Sequence, residues 1–405
     1  MTRPARKCSA KACWAGPFRN TEPGARAQKA ATGGVRAVSQ SAAGRRRYGG
    51  GLDVMGPIPK HGTVAVTGSA GFIGGWVVRN LLDRGYRVRA CVRDLADDNR
   101  TAFLKAMPGY ASGRLTLHCA DLNVPGCFDE IFKGCHGVIH TSHISDYADL
   151  AAAKAVADHM IASINGSGTV GRIIVTSSLA AVITEVDNDE VARRPVIYED
   201  RYPDEANPDR STANGQGYSM CKLLVDRAFT AAAAESGAWD VISVCPGDNV
   251  GPIQSPHQVK GDWQQRMAEM LQGTCNESPM YRPWMVVDVR DDAECHVRLL
   301  ESTQLLNGER FIAWSTESRP VHQVCADIDR LLPELRHDTP PLTDPFPDAL
   351  KARRERILAN WAKVDLRNQR IRAATGIEFR SFDTTIRDCV ESLIAIAGIS
   401  VKTRS

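Results

Sequence analysis

Short apolar runs alternate with helical patterns along the chain from Gly62 onward. Six runs have the length and apolar content of buried strands, and three longer segments carry apolar residues at helical spacing. Such alternation predicts right-handed βαβ units and a parallel sheet covered on both faces. The predicted strands are 63–68, 87–94, 115–122, 136–142, 171–178 and 240–247, and the predicted helices are 72–85, 149–164 and 218–235.

We therefore predict an α/β fold with a doubly wound, Rossmann-like parallel sheet over residues 59–252. The pattern loosens beyond this point and predicts a smaller, mostly helical substrate-binding lobe over residues 253–405. Within segment 284–302, the sequence pattern predicts the end of a strand and then a helix that returns to the main sheet. The other predicted helices of the lobe lie near 262–273, 348–362 and 384–396.

The charge of the chain is divided unevenly. Residues 1–60 carry 12 Lys and Arg against Glu22 and Asp53, whereas the rest holds 38 basic and 45 acidic side chains. The mildly acidic body argues against nucleic-acid binding. Residues 1–58 form a predicted disordered basic tail, because they show no sustained apolar period.

Three interpretations of this tail stay open, and the least favoured is that the Arg45–Arg47 run contacts a nucleic acid. The other two concern the origin of the tail. It is a dispensable extension, since Met55 offers a later start, or residues 1–54 are an organellar transit peptide. The first predicts a cytoplasmic protein and the second an organellar one. The 12 scattered Cys and the absence of a membrane-spanning apolar run predict a soluble protein in a reducing compartment.

A glycine-rich turn follows the first predicted strand. Gly68, Gly71 and Gly74 stand at G-x-x-G-x-x-G spacing between that strand and a helix. Gly68 permits the tight turn, Gly71 lets the backbone approach a pyrophosphate, and Gly74 permits close helix–strand packing. Phe72 and Ile73 open the helix whose N–H groups would bind the anion, so the turn predicts a dinucleotide site.

The end of the second strand selects the nucleotide. An NAD site needs a carboxylate for the ribose 2′-OH, whereas the 2′-phosphate of NADP needs cations. Arg93 ends this strand and Arg100 follows, and guanidinium groups bind phosphate bidentately. Asp94 favours NAD instead. We predict NADP.

Tyr218 and Lys222 lie four residues apart on a predicted helix and therefore share one face. A free tyrosine has a pKa of about 10, and a neighbouring ammonium stabilises the phenolate form. This pairing is suited to proton transfer at a substrate oxygen.

Several motifs together resemble the extended short-chain dehydrogenases/reductases. They are VTGSAGFIGGWVV, VRD, ADL, IIVTSS, YSMCK, VCPGDNVGP, VDVRDDAECHV and FRSFDTTIRDCVESL, which cover about residues 61–400. Within that family the chain is most similar to the branch of dihydroflavonol 4-reductase, cinnamoyl-CoA reductase and the fungal ketone/aldehyde reductases.

The resemblance implies roles for individual residues. Ser178 falls on the serine of the catalytic triad, with Tyr218 and Lys222 on its tyrosine and lysine. Arg93 and Arg100 fall on the 2′-phosphate cations. The other implied cofactor contacts are Asp121 and Leu122 at adenine, and Thr141, Ser142, His143, Pro246, Gly247 and Asn249 on the nicotinamide side.

The chain also departs from the branch. Ile183 replaces the Asn that dihydroflavonol reductase uses for its substrate, and NGQGYSMCK keeps only the tyrosine and the terminal lysine of the cinnamoyl-CoA reductase signature. HTSHISD replaces the usual run of small residues and proline after the fourth strand. Neither named substrate is therefore predicted.

The predicted function is NADPH-dependent reduction of a small ketone or aldehyde, by a monomer or homodimer. Alternatives are a hydroxysteroid dehydrogenase/isomerase, a sugar-nucleotide epimerase/dehydratase and a non-catalytic NADP sensor. No metal is expected, because the histidines and cysteine of CHGVIHTSH lie on a strand whose successive side chains alternate faces.

Overall fold

The computed structural model describes residues 58–199, 201, 210–275, 283–305, 307–338 and 348–404. Nearly all of the predicted tail lies outside the described residues. The strands are β1 (Thr63–Thr67), β2 (Arg87–Val92), β3 (Leu115–Cys119), β4 (Gly137–His140), β5 (Arg172–Thr176), β6 (Val196–Ile197), β7 (Asp240–Pro246), β8 (Asp248–Val250), β9 (Trp284–Asp288), β10 (Glu309–Ala313), β11 (Ser318–Arg319) and β12 (Asp365–Leu366).

The helices follow the same chain order. They are α1 (Phe72–Asp83), α2 (Asp98–Lys105), α3 (Pro108–Ala111), α4 (Asp129–Phe132), α5 (Leu150–Ser167), α6 (Asn188–Arg193), α7 (Gly217–Ser236), α8 (Asp262–Leu271), α9 (Val289–Glu301), α10 (Val321–Leu331), α11 (Asp348–Trp361), α12 (Gln369–Thr375) and α13 (Phe382–Ala397). Short 3₁₀ turns include Leu179–Ala181 and Pro256–Lys260.

Seven strands form one parallel sheet in the order β10-β7-β5-β4-β1-β2-β3. This confirms the predicted doubly wound α/β fold. All six predicted strands are present, and β10 is a seventh that sequence analysis missed. The order reverses between β1 and β4, and the crevice beyond the carboxyl ends of these strands is where such folds bind ligands.

The central strands are apolar because both faces of the sheet are covered. Val64 and Val66 of β1 belong to the core on the side of α1 and α9, whereas Ala65 belongs to the core on the side of α4, α5 and α7. All three side chains are fully buried. This arrangement fixes the turn after β1 at the crevice.

The segment after residue 283 divides between two structures. β9 pairs with β8 and β11 in a separate three-stranded sheet, and α9 packs against α1 and the face of the main sheet. Arg84, directly after α1, forms an ion pair of 2.7 Å with Glu301 of α9. The helix therefore covers the main sheet, and β10 then joins that sheet beside β7.

A second hydrophobic core holds the C-terminal elements together. Trp284, Met267, Val324 and Phe382 bring side chains of β9, α8, α10 and α13 into this core, and each is fully buried. The division of the chain at residue 252 stays a prediction. Among the described helices, none combines the length and apolarity needed to cross a bilayer.

Candidate active site

The glycine turn has the geometry that its spacing predicts. Gly68 has a φ of +68°, which favours glycine, and a Cβ on Gly74 would lie 2.3 Å from the carbonyl oxygen of Gly68. The N–H of Gly71 donates to that same carbonyl at 2.8 Å. α1 begins directly after Gly71 with no side-chain cap, so its first N–H groups are available to an anion.

A cavity of about 320 Å³ opens beside this turn at the crevice. Phe72, Ile73 and Gly74 form the first turn of α1, where Phe72 packs against the C-terminal core and Ile73 against the core under the sheet. The predicted cofactor residues that line the cavity are Gly68, Gly71, Arg93, Arg100, Asp121, Leu122, Thr141, Ser142 and His143.

The charged groups at one end of this cavity differ in their partners. Asp94 Oδ1 accepts a hydrogen bond of 2.8 Å from the N–H of Ala96. Arg100 lies 3.4 Å from Asp97 in an exposed ion pair. Within the described ranges, the guanidinium of Arg93 has no hydrogen bond or ion pair, and it is exposed at the cavity.

The three polar residues at the end of β5 point to three different places. Thr176 Oγ1 lies 2.7 Å from His296 Nε2, and Ser177 donates to the buried carboxylate of Asp226 at 2.6 Å. Ser178 is half-buried, and its Oγ accepts from the N–H of Ala180 at 3.1 Å. Only Ser178 of the three therefore faces a substrate-sized cavity.

This second cavity, of about 280 Å³, brings four of the predicted residues together. Ser178, Tyr218, Pro246 and Gly247 all line it. Asn249 does not, because it is buried in β8, where its carbonyl oxygen accepts from Gln264 Nε2 at 3.0 Å.

Lys222 lies one turn along α7 from Tyr218. Its Nζ is 5.7 Å from the centre of the Tyr218 ring and donates to the carbonyl oxygen of Thr176 at 2.8 Å. The side chain is buried, and with Ser142 and His143 it lines a third, small cavity, which shares these two residues with the cavity beside the glycine turn. The helix pair and the strand serine therefore meet at the same edge of the sheet.

The histidines near β4 have separate structural partners. His136 Nδ1 accepts from the N–H of Thr63 at 3.2 Å, and His140 Nδ1 lies 2.8 Å from Thr67 Oγ1. Burial, reinforced by the charge of Lys222, lowers the pKa of His140 to about 3. His140 is therefore neutral at physiological pH and is unsuited to donate a proton.

Sequence reasoning missed several residues around these cavities. Tyr147 follows β4 and contacts Tyr218, whereas Asp262 and Trp263 begin α8 and line the cavity of Ser178. His257 Nε2 lies 2.7 Å from the carbonyl oxygen of Ala70, at the glycine turn. All four come from loops or helix starts, and no periodic pattern marks them.

A glycine turn at a sheet crevice, followed by a helix with a tyrosine–lysine pair, defines a class of dinucleotide-dependent enzymes. The family model described as "NAD dependent epimerase/dehydratase family" matches residues 64–312. The chain belongs to this family, which confirms the resemblance to the extended short-chain dehydrogenases/reductases.

Individual relatives narrow the comparison. The chain is 38% identical over 201 residues to dihydroflavonol 4-reductase of Zea mays, a match that covers 48% of this chain and only 54% of that enzyme. It is 31% identical over 279 residues to dihydroflavonol 4-reductase of Callistephus chinensis, covering 67% of this chain and 73% of that one. The chain thus spans about half to three quarters of these relatives.

A solved structure shares the fold over nearly its whole length. The yeast methylglyoxal/isovaleraldehyde reductase Gre2, complexed with NADPH, is similar with a TM-score of 0.66 and 21% identity. The similarity covers 83% of this chain and 99% of that one. At this identity the likeness supports the fold and not the substrate.

Proposed function

We propose that the protein is an NADPH-dependent reductase that converts a small ketone or aldehyde to an alcohol, with Tyr218 as the proton donor. The observation that carries this proposal is the position of Lys222. Its ammonium lies 5.7 Å from the Tyr218 ring and is bonded to the end of β5, the strand that leads to Ser178.

Each of the three side chains has a task that its contacts support. The Tyr218 phenol protonates the substrate oxygen, and the Lys222 ammonium stabilises the phenolate that remains. Since Ser178 Oγ accepts from the Ala180 N–H, its own hydroxyl hydrogen is available to donate to the same substrate oxygen. NADPH supplies the hydride when bound.

The first cavity supports NADPH over NADH. The carboxylate that would accept a hydrogen bond from a ribose 2′-OH belongs to Asp94, and one of its oxygens already accepts a hydrogen bond from the N–H of Ala96. The exposed Arg93 guanidinium and the nearby Arg100 are suited to a 2′-phosphate instead. Gly68 and Gly71, with the uncapped start of α1, would hold the pyrophosphate.

The lining of the second cavity favours an uncharged carbonyl compound. Among the described residues that line it, there is no Lys or Arg, whereas Asp248 and Asp262 are both acidic. A sugar nucleotide or a CoA thioester carries phosphates that would need cations here. This supports a reductase of neutral carbonyls rather than a sugar-nucleotide epimerase.

Purified protein should be tested with NADPH and NADH in parallel against aromatic and aliphatic ketones and aldehydes. We expect carbonyl-dependent oxidation of NADPH, slower oxidation of NADH, and loss of activity in Tyr218→Phe with retained NADPH binding. Binding of NADPH without turnover of any carbonyl would contradict a reductase and favour an NADP sensor.

A further inference from the structure

The segment that follows β4 is docked on the first turn of α7. A Cβ added to Gly217 would lie 2.3 Å from the carbonyl oxygen of Tyr147, and Cys221 Sγ lies 3.5 Å from that same oxygen. The backbone of Tyr147 thus lies against the helix turn that carries Tyr218. Glycine at 217 is what permits this close approach.

The side chain of Tyr147 extends the contact to the ring of Tyr218. The two ring centres are 4.9 Å apart and the planes are inclined at 84°, which is the edge-to-face arrangement that aromatic pairs prefer. Tyr147 is half-buried, and burial raises the pKa of its phenol, so this hydroxyl stays protonated.

His143 holds the other end of Tyr147. The Tyr147 hydroxyl lies 2.8 Å from His143 Nδ1, and the two ring centres are 5.5 Å apart. His143 lines both the cavity beside the glycine turn and the small cavity of Lys222. A chain of three side chains therefore leads from Tyr218 to the nucleotide side of the crevice.

We propose that Tyr147 is a positioning residue for Tyr218 and that His143 fixes the ring of Tyr147. This inference rests on the proposed function, in which Tyr218 is the proton donor. The Tyr218 phenol stands at the tip of a long side chain, and the Tyr147 ring packed against it limits its swing. A displacement of about 1 Å at a reacting group costs up to about 100-fold in rate.

A graded series of variants tests this inference. Tyr147→Leu removes the ring, and we expect kcat to fall about 10- to 100-fold while the Kd for NADPH stays within about twofold. Tyr147→Phe keeps the ring and loses the bond to His143, so kcat should fall only about 3- to 10-fold. The matched control is Tyr110→Leu on α3, where Tyr110 is 41% exposed.

Combining Tyr147→Phe with His143→Ala tests whether His143 fixes the ring of Tyr147. Both changes remove the same hydrogen bond, so the loss in the double variant should be at least about threefold smaller than the product of the two single losses. A loss equal to that product overturns the role of His143. This comparison remains decisive if Tyr147→Leu fails to fold.

A measurement without turnover separates this inference from the proposed function. In protein labelled with 3-fluorotyrosine, the ¹⁹F resonance of Tyr218 is identified by its absence in Tyr218→Phe. We expect this resonance to shift and broaden in Tyr147→Leu and to stay unchanged in Tyr110→Leu. An unchanged Tyr218 resonance in Tyr147→Leu, or a kcat of that variant within about twofold of wild type, overturns the inference. A wild-type protein that reduces no carbonyl overturns the proposed function alone.

Discussion

Lys222 Nζ donates a hydrogen bond of 2.8 Å to the carbonyl oxygen of Thr176, two residues before Ser178. This bond joins α7, which carries Tyr218 and Lys222, to the end of the strand that leads to Ser178. The bond is buried and therefore holds the ammonium in place. Because its acceptor is a backbone carbonyl, it uses no other side chain of the site. One backbone carbonyl thus sets the relative position of the helix pair and the serine.

Removing the ammonium should abolish most of the activity. In Lys222→Met we expect kcat for carbonyl reduction to fall about 100- to 1,000-fold, because neither the phenolate of Tyr218 nor the carbonyl of Thr176 keeps its partner. Lys222→Arg retains the positive charge, so its kcat should fall less than that of Lys222→Met. Steady-state NADPH oxidation measures both, and a kcat within about threefold of wild type in Lys222→Met would contradict the role of the ammonium.

Nucleotide preference should depend on Arg93. A charge-assisted hydrogen bond contributes about 1.5–3 kcal/mol, so Arg93→Ala should raise the Kd for NADPH about 10- to 100-fold. The Kd for NADH should stay within about twofold of its wild-type value. Arg87→Ala is the control, because Arg87 is exposed at the opposite end of β2. Fluorescence titration with both nucleotides measures the effect, and equal weakening of the two would refute a 2′-phosphate contact.

Replacing Gly74 or Gly166 by alanine should change stability in opposite directions. Gly74→Ala places a Cβ 2.3 Å from the Gly68 carbonyl oxygen, so we expect a loss of about 1–3 kcal/mol in stability and weaker NADPH binding. Gly166→Ala meets nothing within 4 Å on α5 and should gain up to about 1 kcal/mol. Urea unfolding and NADPH titration measure both. Unchanged binding in Gly74→Ala would show that the turn tolerates a side chain.

Asp291 should make stability depend on pH. Burial raises the pKa of Asp291 from 3.8 to about 6, although the N–H of Arg380 donates to its carboxylate at 2.6 Å. A raised pKa in the folded state means that the contribution to stability is present below the unfolded value and is lost as the pH rises through about 6.

The comparison is between wild type and Asp291→Asn, which has no charge at any pH. From about pH 4 to about pH 7.5, the free energy of unfolding of wild type should fall relative to the variant by up to about 3 kcal/mol. Urea unfolding at each pH provides the values. A difference that does not change with pH would mean that Asp291 titrates normally.

Most of the fold could be predicted because the central strands are apolar on both faces. β10 could not, since only Phe311, Ile312 and Ala313 of its residues are apolar. Arg310 within β10 is buried, and its Nε lies 3.3 Å from the carboxylate of Asp226 on α7. A charged residue occupies the interior there because of a partner far away in the sequence, and no local pattern reveals such a pairing.

The candidate site was predictable where a role depends on spacing within one element. Tyr218 and Lys222 share a helix face, and the glycines share one turn. Tyr147 and Asp262 were missed, because their position depends on which loops meet over α7. A period of two or 3.6 residues predicts an element but carries no information about the contacts of the loops between elements.

The central claim is that a hydride passes from a bound nicotinamide to a carbonyl carbon while Tyr218 supplies the proton. It is tested most directly by mass spectrometry of the alcohol formed from NADPH deuterated at C4, with each face labelled in turn. The account predicts one deuterium in the alcohol from one of the two labels, and no alcohol from Tyr218→Phe. Alcohol without deuterium from either label, or unchanged product in Tyr218→Phe, would contradict it.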